Sequence, residues 1–424
     1  MKGFSIKTEI QEFDTFEQFA KEAGIGADDL VLCGEHTFDK YIAPLNIGVQ
    51  TLFREKYGKG EPTDGMVDAI LNKLRDKTYD RIIAVGGGTV IDIAKVVAVA
   101  GKDDTVDDLY DKVGSLSKVH PLIIVPTTCG TGSEVTNISV INRVSKGVKM
   151  GLAAPAMVAD SAVMITNMLD SLPYKIFATS SIDAMVHSVE SFLSPNGCSI
   201  SRIFSTEALK TILTCWKKSV EAGGEDAWKT YAADFLKASN WAGFGFGYAG
   251  CAAVHACAYP LGSVYHIPHG QSNQLMFKDV MKMYKKIKPT GRINDLEAVI
   301  AESLSVAPEN ALEELYALMD KVLKSAPLEE FGVNKSFNLI PQEVMTALKP
   351  GTILRVYYSI EPTAEYHQMQ LATGWWTGLM DKIEFSEDGV YELIITQEVI
   401  DKINAEAGFL CVGHGYYVDL VTVQ

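Results

Sequence analysis

The segment Arg81 to Val85, R-I-I-A-V, runs directly into Gly86-Gly87-Gly88 and then into T-V-I-D-I-A-K. β-Branched residues closed by three glycines and followed by an apolar series predict a strand, a tight turn and a helix from about Thr89 to Ala100. The same rhythm recurs on both sides. Leu30 to Cys33 and Pro121 to Val125 read as short buried strands, and Thr63 to Lys77 carries Met66, Val67, Ile70, Leu71 and Leu74 on one helical face. Strands that alternate with helices need crossover connections, so they predict a parallel sheet covered by helices, a Rossmann-like α/β unit over residues 1–172.

A strand that ends in glycines and opens a helix lets backbone N–H groups approach a phosphate, with the helix N-terminus adding positive potential. Gly86, Gly87, Gly88, Thr89 and Asp92 are therefore candidates for contact with a dinucleotide, although the pattern is not G-x-G-x-x-G and also reads as a plain turn. A second loop follows the strand that ends at Val125. It is crowded with hydroxyls and glycines: Thr127, Thr128, Thr131, Gly132 and Ser133. Ligands of open α/β sheets collect at such strand ends.

From about Ser171 the pattern is helical, over Ile176–Phe192, Ile200–Val220, Asp226–Ala242, the stretch around His255, and Glu297–Ser325, with no convincing strand among them. This predicts an all-α domain over 173–333. Asp183 and His187 are four residues apart and share one helical face. His255 lies in an apolar helical run, and His269 sits in a Pro-His-Gly turn. One carboxylate and three imidazoles suit a borderline divalent ion with a position left open for a substrate oxygen. Any one of these histidines would equally serve as a hydrogen-bonded core or cap residue. Cys129, Cys251 and Cys257 read as small buried side chains.

In order and separation, G-G-G-T-V-I-D-I-A-K, P-T-T-C-G-T-G-S-E, D-A-M-V-H and H-A-C-A-Y-P-L-G with P-H-G resemble the iron-containing (group III) alcohol dehydrogenase family over about residues 1–335. The resemblance implies the architecture shared with dehydroquinate synthase, a Rossmann-like nucleotide domain and an all-α metal-binding domain. It also implies NAD lying across the two loops, and Fe²⁺ held by Asp183, His187, His255 and His269, with Zn²⁺ fitting the same ligands. The implied reaction transfers hydride between NAD(H) and a small alcohol or aldehyde, and the variant H-x-x-x-Y-P-x-G points to 4-hydroxybutyrate and succinate semialdehyde. Glu35 matches the family's acidic ribose reader, which would repel a 2′-phosphate and favour NAD over NADP. The usual family pattern is H-x-x-x-H-P-x-G, whereas here the second position is Tyr259. Its hydroxyl is a candidate for a proton relay with His266 or for contact with a substrate carboxylate. Lys149 and Arg202 are candidate cations for that carboxylate. Competing readings are a dehydroquinate synthase-like lyase, disfavoured by the lack of an extra Lys/Arg cluster, and a noncatalytic NAD-binding scaffold.

At 424 residues the chain predicts two or three domains. Its net charge of −15 argues against nucleic acid and anionic membranes as partners. The absence of a long apolar run argues against a membrane span, and the odd set of seven cysteines suggests reduced thiols. With no apolar core of a signal peptide at the N-terminus, a cytoplasmic protein is expected, acting as a homo-oligomer, a dimer. Beyond Asn334 the resemblance stops. Thr352–Ile360, Tyr366–Trp375, Val390–Thr396 and Phe409–Val423 are rich in Val, Ile, Tyr and Thr, and Gly and Pro punctuate them. They predict an all-β, sandwich-like module over 334–424, in which Trp375, Trp376, Tyr416 and Tyr417 offer a platform for carbohydrate.

Overall fold

Strands buried on both faces are near-continuously apolar, and the central strands of this protein follow that rule after their first residues, Asp29, Arg81 and Ser161. A computed structural model describes residues 3–423 apart from 147, 334–347, 363, 374–376 and 407. The chain forms two compact units, Met1–Phe331 and Gly332–Gln424.

The first unit begins with β1 (Glu9–Phe13), α1 (Phe16–Glu22), β2 (Asp29–Cys33), the single turn α2 (Glu35–Thr37) and β3 (Gln50–Phe53). It continues through α3 (Asp64–Leu74), β4 (Arg81–Gly86), α4 (Gly88–Val99), α5 (Val106–Asp111) and β5 (Leu122–Pro126). A β6–β7 hairpin (Ile138–Arg143, Val148–Ala153) precedes β8 (Ser161–Ile165). The sheet runs in the order β1-β8-β5-β4-β2-β3, and every pair in it is parallel. The sequence reading found β2, β4 and β5. It placed no strand at β1, β3 or the hairpin, which have mixed polarity, nor at β8, S-A-V-M-I, which is as long and as buried as β2.

Alternate residues of each strand enter different cores. Leu30, Leu32, Ile82, Ala84, Leu122 and Ile124 pack with α3 and α4. Val31, Cys33, Ile83, Val85 and Val125 join the core built by the helical half. In that half lie α6 (Tyr174–Leu193), α7 (Ser199–Ala222), α8 (Ala232–Ala249), α9 (Ala253–Tyr265), α10 (His269–Ile287), α11 (Arg292–Leu304) and α12 (Ala311–Val322). Asp226–Ala242, read as one helix, is instead a 3₁₀ turn, Ala227–Tyr231, followed by α8. Likewise Glu297–Ser325 divides into α11 and α12 at Ser305, whose φ of +59° ends the first helix. His269 lies not in a turn but at the first position of α10, after Pro268 at the N-cap.

Helix α6 organises this half. From Ser181 to Phe192 every residue is buried. A helix buried all round has no wet face for its polar residues, so they must find partners inside. Ser181, Ser188 and Ser191 bond back to carbonyls three or four residues earlier, leaving Asp183, His187 and Glu190 to be satisfied by neighbouring helices.

The second unit holds β9 (Ile353–Ile360), β10 (Gln368–Thr373), β11 (Ile383–Glu384), β12 (Gly389–Ile394), α13 (Gln397–Ala405), β13 (Phe409–His414) and β14 (Tyr416–Val423). Two antiparallel three-stranded sheets, β11-β10-β13 and β12-β9-β14, share one core of Leu354, Val356, Met369, Leu371 and Phe409. The module is β-rich but includes a helix, α13, where the sequence reading had none. Val399 and Ile403 are its buried residues, and the Thr396 side chain accepts from Val399 N. Phe409–Val423 is divided at Gly415 (φ +73°) into strands of different sheets. Tyr416 packs edge-on against Phe385 and Tyr358, while Tyr417 is exposed. Trp375 and Trp376 lie outside the described residues.

Candidate functional site

Three imidazoles from three helices converge on one carboxylate oxygen. Nε2 of His255 and of His269 each lie 3.5 Å from Asp183 Oδ1, and Nε2 of His187 lies 3.9 Å from it. Bonds of about 2.1 Å at tetrahedral angles set neighbouring ligand atoms about 3.4 Å apart. The spacing of Asp183, His255 and His269 is therefore that of a metal's ligand shell, with His187 set slightly wider, and the donor set fits a borderline divalent ion. His187 is held between the rings of Phe246 and His255, with centroids at 4.0 and 4.5 Å. Helix α10 reaches the site because Gly270 lies flat against the backbone of Thr179 on α6.

Burial would raise the pKa of Asp183, but His187, His269 and His255 outweigh it and hold the acid well below the usual carboxylate range. Burial lowers His269 to about 4, so it offers a neutral lone pair at ordinary pH. Burial also pulls on His255, yet Cys251, Asp183 and Glu190 prevail and raise it well above an ordinary histidine. A metal entering the site must displace that proton, and its affinity rises with pH.

Two positioning residues escaped the sequence reading. Glu190, fully buried, takes His255 Nδ1 at 2.6 Å and also accepts from the N–H groups of Ala252 and Val254. It thus caps the start of α9 and fixes which nitrogen of His255 points inward. Asn273 Nδ2 donates to Asp183 Oδ1 at 2.8 Å and lies 3.3 Å from His255 Nε2. Both were within reach of pattern reading, since Glu190 is three residues beyond His187 and Asn273 four beyond His269. Glu190→Gln is expected to weaken metal binding by roughly 10–100-fold, the scale of losing a ligand's orienting partner. An unchanged dissociation constant by competition with a chelator would count against this role.

Tyr259 stands beside the centre, its ring centroid 6.1 Å from that of His269. Burial raises its phenol above the ordinary value. Lys149 Nζ sits 5.4 Å from the same ring and pairs with Glu61. Arg202, by contrast, is committed to the carbonyls of Phe192, Ser194 and Gly197. His266 is exposed, adopts φ +56° as the C-cap of α9, and has no described contact with the four converging residues. Cys129 is buried as expected, but Cys251 and Cys257 are exposed.

The candidate cofactor residues gather at the carboxyl ends of adjacent strands. β2 ends before Glu35, β4 ends in Gly86, and Gly86 pairs with Pro126 at the end of β5. After β2 the chain continues to β3, while after β4 it turns the other way to β5, so the order reverses between β2 and β4. Dinucleotides bind at such a switch point. The two loops fit closely: a Cβ on Gly87 or Gly88 would come 3.0 Å from Thr128 or Thr131. Thr127 N donates to Gly86 O, and Thr89 Oγ1 to Gly60 O. Gly132, at φ +54°, lies against Ser239 and Gly243 of α8 and ties the loop to the helical half. Asp92 is raised to about 6 by burial and accepts from Ser133 Oγ and Val140 N. Beside it the fully buried Lys95 spends its donors on Ser133, Thr136 and Ile138. Asp92 and Lys95 thus brace the loop from behind. Glu35 is about half exposed and pairs with Lys56 at 3.5 Å.

Residues 7–166 match the family described as iron-containing alcohol dehydrogenase, and 177–355 match the C-terminal part of the Fe-containing alcohol dehydrogenase family. A 4-hydroxybutyrate dehydrogenase of Clostridium kluyveri is 42% identical over 335 residues, spanning 79% of this chain and 90% of that protein. Long-chain-alcohol dehydrogenase 1 of Geobacillus thermodenitrificans is 36% identical, over 62% of this chain and 67% of its own. Among solved structures, an iron-containing alcohol dehydrogenase of Thermotoga maritima superposes with a TM-score of 0.62 at 25% identity, covering 75% of this chain and 87% of that one. A sulfoacetaldehyde reductase of Bifidobacterium kashiwanohense, solved with NAD⁺, has the same fold, with a TM-score of 0.67 at 21% identity over 82% of this chain and 90% of that one. No described helix is long and apolar enough to cross a membrane. A nucleotide-type sheet, a buried Asp-His₃ cluster between helices and these matches have one reading: the chain belongs to the iron-containing alcohol dehydrogenase family.

Proposed function

We propose that this protein interconverts 4-hydroxybutyrate and succinate semialdehyde with NAD(H), at a divalent ion held by Asp183, His187, His255 and His269. The observation that carries the reading is the convergence of three imidazole nitrogens on Asp183 Oδ1. An ion there supplies Lewis acidity towards an alcohol or carbonyl oxygen, and the dinucleotide supplies the hydride acceptor. Fe²⁺ is the first choice and Zn²⁺ fits the same donors.

The chain's own residues do the rest. The Gly86–Gly88 turn and the Thr128–Gly132 loop lie at the strand ends, where their backbone N–H groups would meet a pyrophosphate. Glu35 accepts from a ribose hydroxyl and repels a 2′-phosphate. Its exposed pair with Lys56 is worth little and readily gives way. Glu35→Ala is expected to narrow the preference for NAD over NADP by about tenfold or more, about 1.4 kcal/mol, partly because Lys56 becomes free to meet the phosphate. An unchanged ratio of kcat/KM values would make Glu35 a surface acid.

Support for an anionic substrate comes from Lys149, whose ammonium lies over Tyr259 next to His269, and whose pair with Glu61 a substrate carboxylate would have to share. Succinate semialdehyde should accordingly be reduced with a far lower KM than butanal in an NADH absorbance assay, and equal KM values would refute the carboxylate preference. Tyr259→Phe removes only the hydroxyl. A lower kcat with an altered pH profile assigns it to proton transfer, and the same altered profile in His266→Ala would place His266 in the relay. A raised KM for the acid alone assigns it to the carboxylate, and wild-type behaviour makes it packing.

A further inference from the structure

The converging cluster contains a sulfur atom that the family reading leaves unassigned. Cys251 Sγ, a nitrogen of His187 and a nitrogen of His255 all lie within 4.8 Å of one another. Two of these three residues are the buried histidines of the Asp183 set, so the groups share an edge. His187, only 5% exposed, also keeps its Nδ1 without a partner.

The position of Cys251 is not accidental. Gly250, at φ +76°, ends α8 and turns the chain inward, and the next N–H but one, that of Ala252, is tied to Glu190 Oε2 at 3.0 Å. The carboxylate that orients His255 therefore also holds the backbone that carries the thiol. Exposure of Cys251 leaves room for an ion or solvent on its side of the histidines. Cys257 is exposed too, but belongs to no such group among the described residues.

We infer that Cys251 is an additional metal donor, its thiolate forming with His187 and His255 a softer coordination set that overlaps the Asp183-His255-His269 set. This inference rests on the metal reading above. Oxygen and nitrogen donors alone discriminate poorly between Fe²⁺ and Zn²⁺, whereas a thiolate favours the softer, thiophilic ions. Cys251 therefore biases the centre towards Zn²⁺.

The test loads the metal-free, full-length protein with Co²⁺ and records its spectrum. Visible bands report that cobalt is bound, and a near-ultraviolet charge-transfer band reports a thiolate ligand. The wild type and Cys257→Ser should show both. Cys251→Ser should keep the visible bands and lose the near-ultraviolet one. Its retention of Zn²⁺ against a chelator should fall by at least the roughly 10–100-fold seen when a ligand merely loses its orienting partner. Visible bands without the charge-transfer band in the wild type, or a band that survives Cys251→Ser, would overturn the sulfur assignment and leave the Asp-His₃ centre standing. Failure of the wild type to bind cobalt would overturn both.

Discussion

His255→Ala is expected to abolish metal binding and reduce kcat/KM by at least about a thousandfold, about 4 kcal/mol, within the several kcal/mol that a Lewis-acid metal supplies. The expectation follows from position. His255 Nε2 is one of the three nitrogens around Asp183 Oδ1, and its Nδ1 is locked to Glu190. Removing the ring also strands a buried carboxylate, and breaking a buried pair costs about 3–5 kcal/mol. A thermal shift is therefore expected alongside the lost metal. His269→Ala separates the two effects, because the His269 side chain is 28% exposed and has no described bond to Glu190. It should lose metal and turnover with a far smaller change in Tm. If either variant kept full metal occupancy by elemental analysis, that residue would not be a ligand.

Gly270→Ala should be nearly as damaging, for a different reason. A Cβ on Gly270 would stand 1.9 Å from the carbonyl oxygen of Thr179 and 2.6 Å from its carbon. These are backbone atoms of α6 at a buried residue and cannot swing aside. The substitution must push α10 away from α6, at a cost of about 3 kcal/mol. Because His269 is the neighbouring residue, the same shift moves a ligand, and a displacement of about 1 Å costs on the order of a hundredfold in rate. A Tm lower by several degrees together with weakened metal binding is the expected result. A variant with wild-type Tm and metal affinity would show that the contact relaxes freely.

Much of this was legible in the residues, for identifiable reasons. Parallel strands buried on both faces are near-continuously apolar, which exposed β2, β4 and β5, while edge strand β1, E-I-Q-E-F, has no such signature. Asp183 and His187 announced themselves by helical spacing. Glu190 continued the same face and was overlooked because a glutamate in a helix ordinarily reads as solvated. His269 was assigned to a turn because Pro-His-Gly looks like one, yet Pro268 is the N-cap of α10. The glycine after it was visible, but its purpose, contact with Thr179, is set by a helix some ninety residues earlier in the chain. Cys251 could not be placed by periodicity, since it precedes α9 and its direction depends on the left-handed turn at Gly250. In the second unit, alternation revealed β10, with Met369 and Leu371 buried, but α13 is short and lies between strands.

An anaerobic titration of metal-free protein with Fe²⁺, followed by NADH-dependent reduction of succinate semialdehyde, tests the central claim most directly. Activity should be absent at the start, rise in proportion to added iron, and level off at one ion per chain, with Zn²⁺ binding in competition. Undiminished turnover in protein shown to contain no metal would contradict the account.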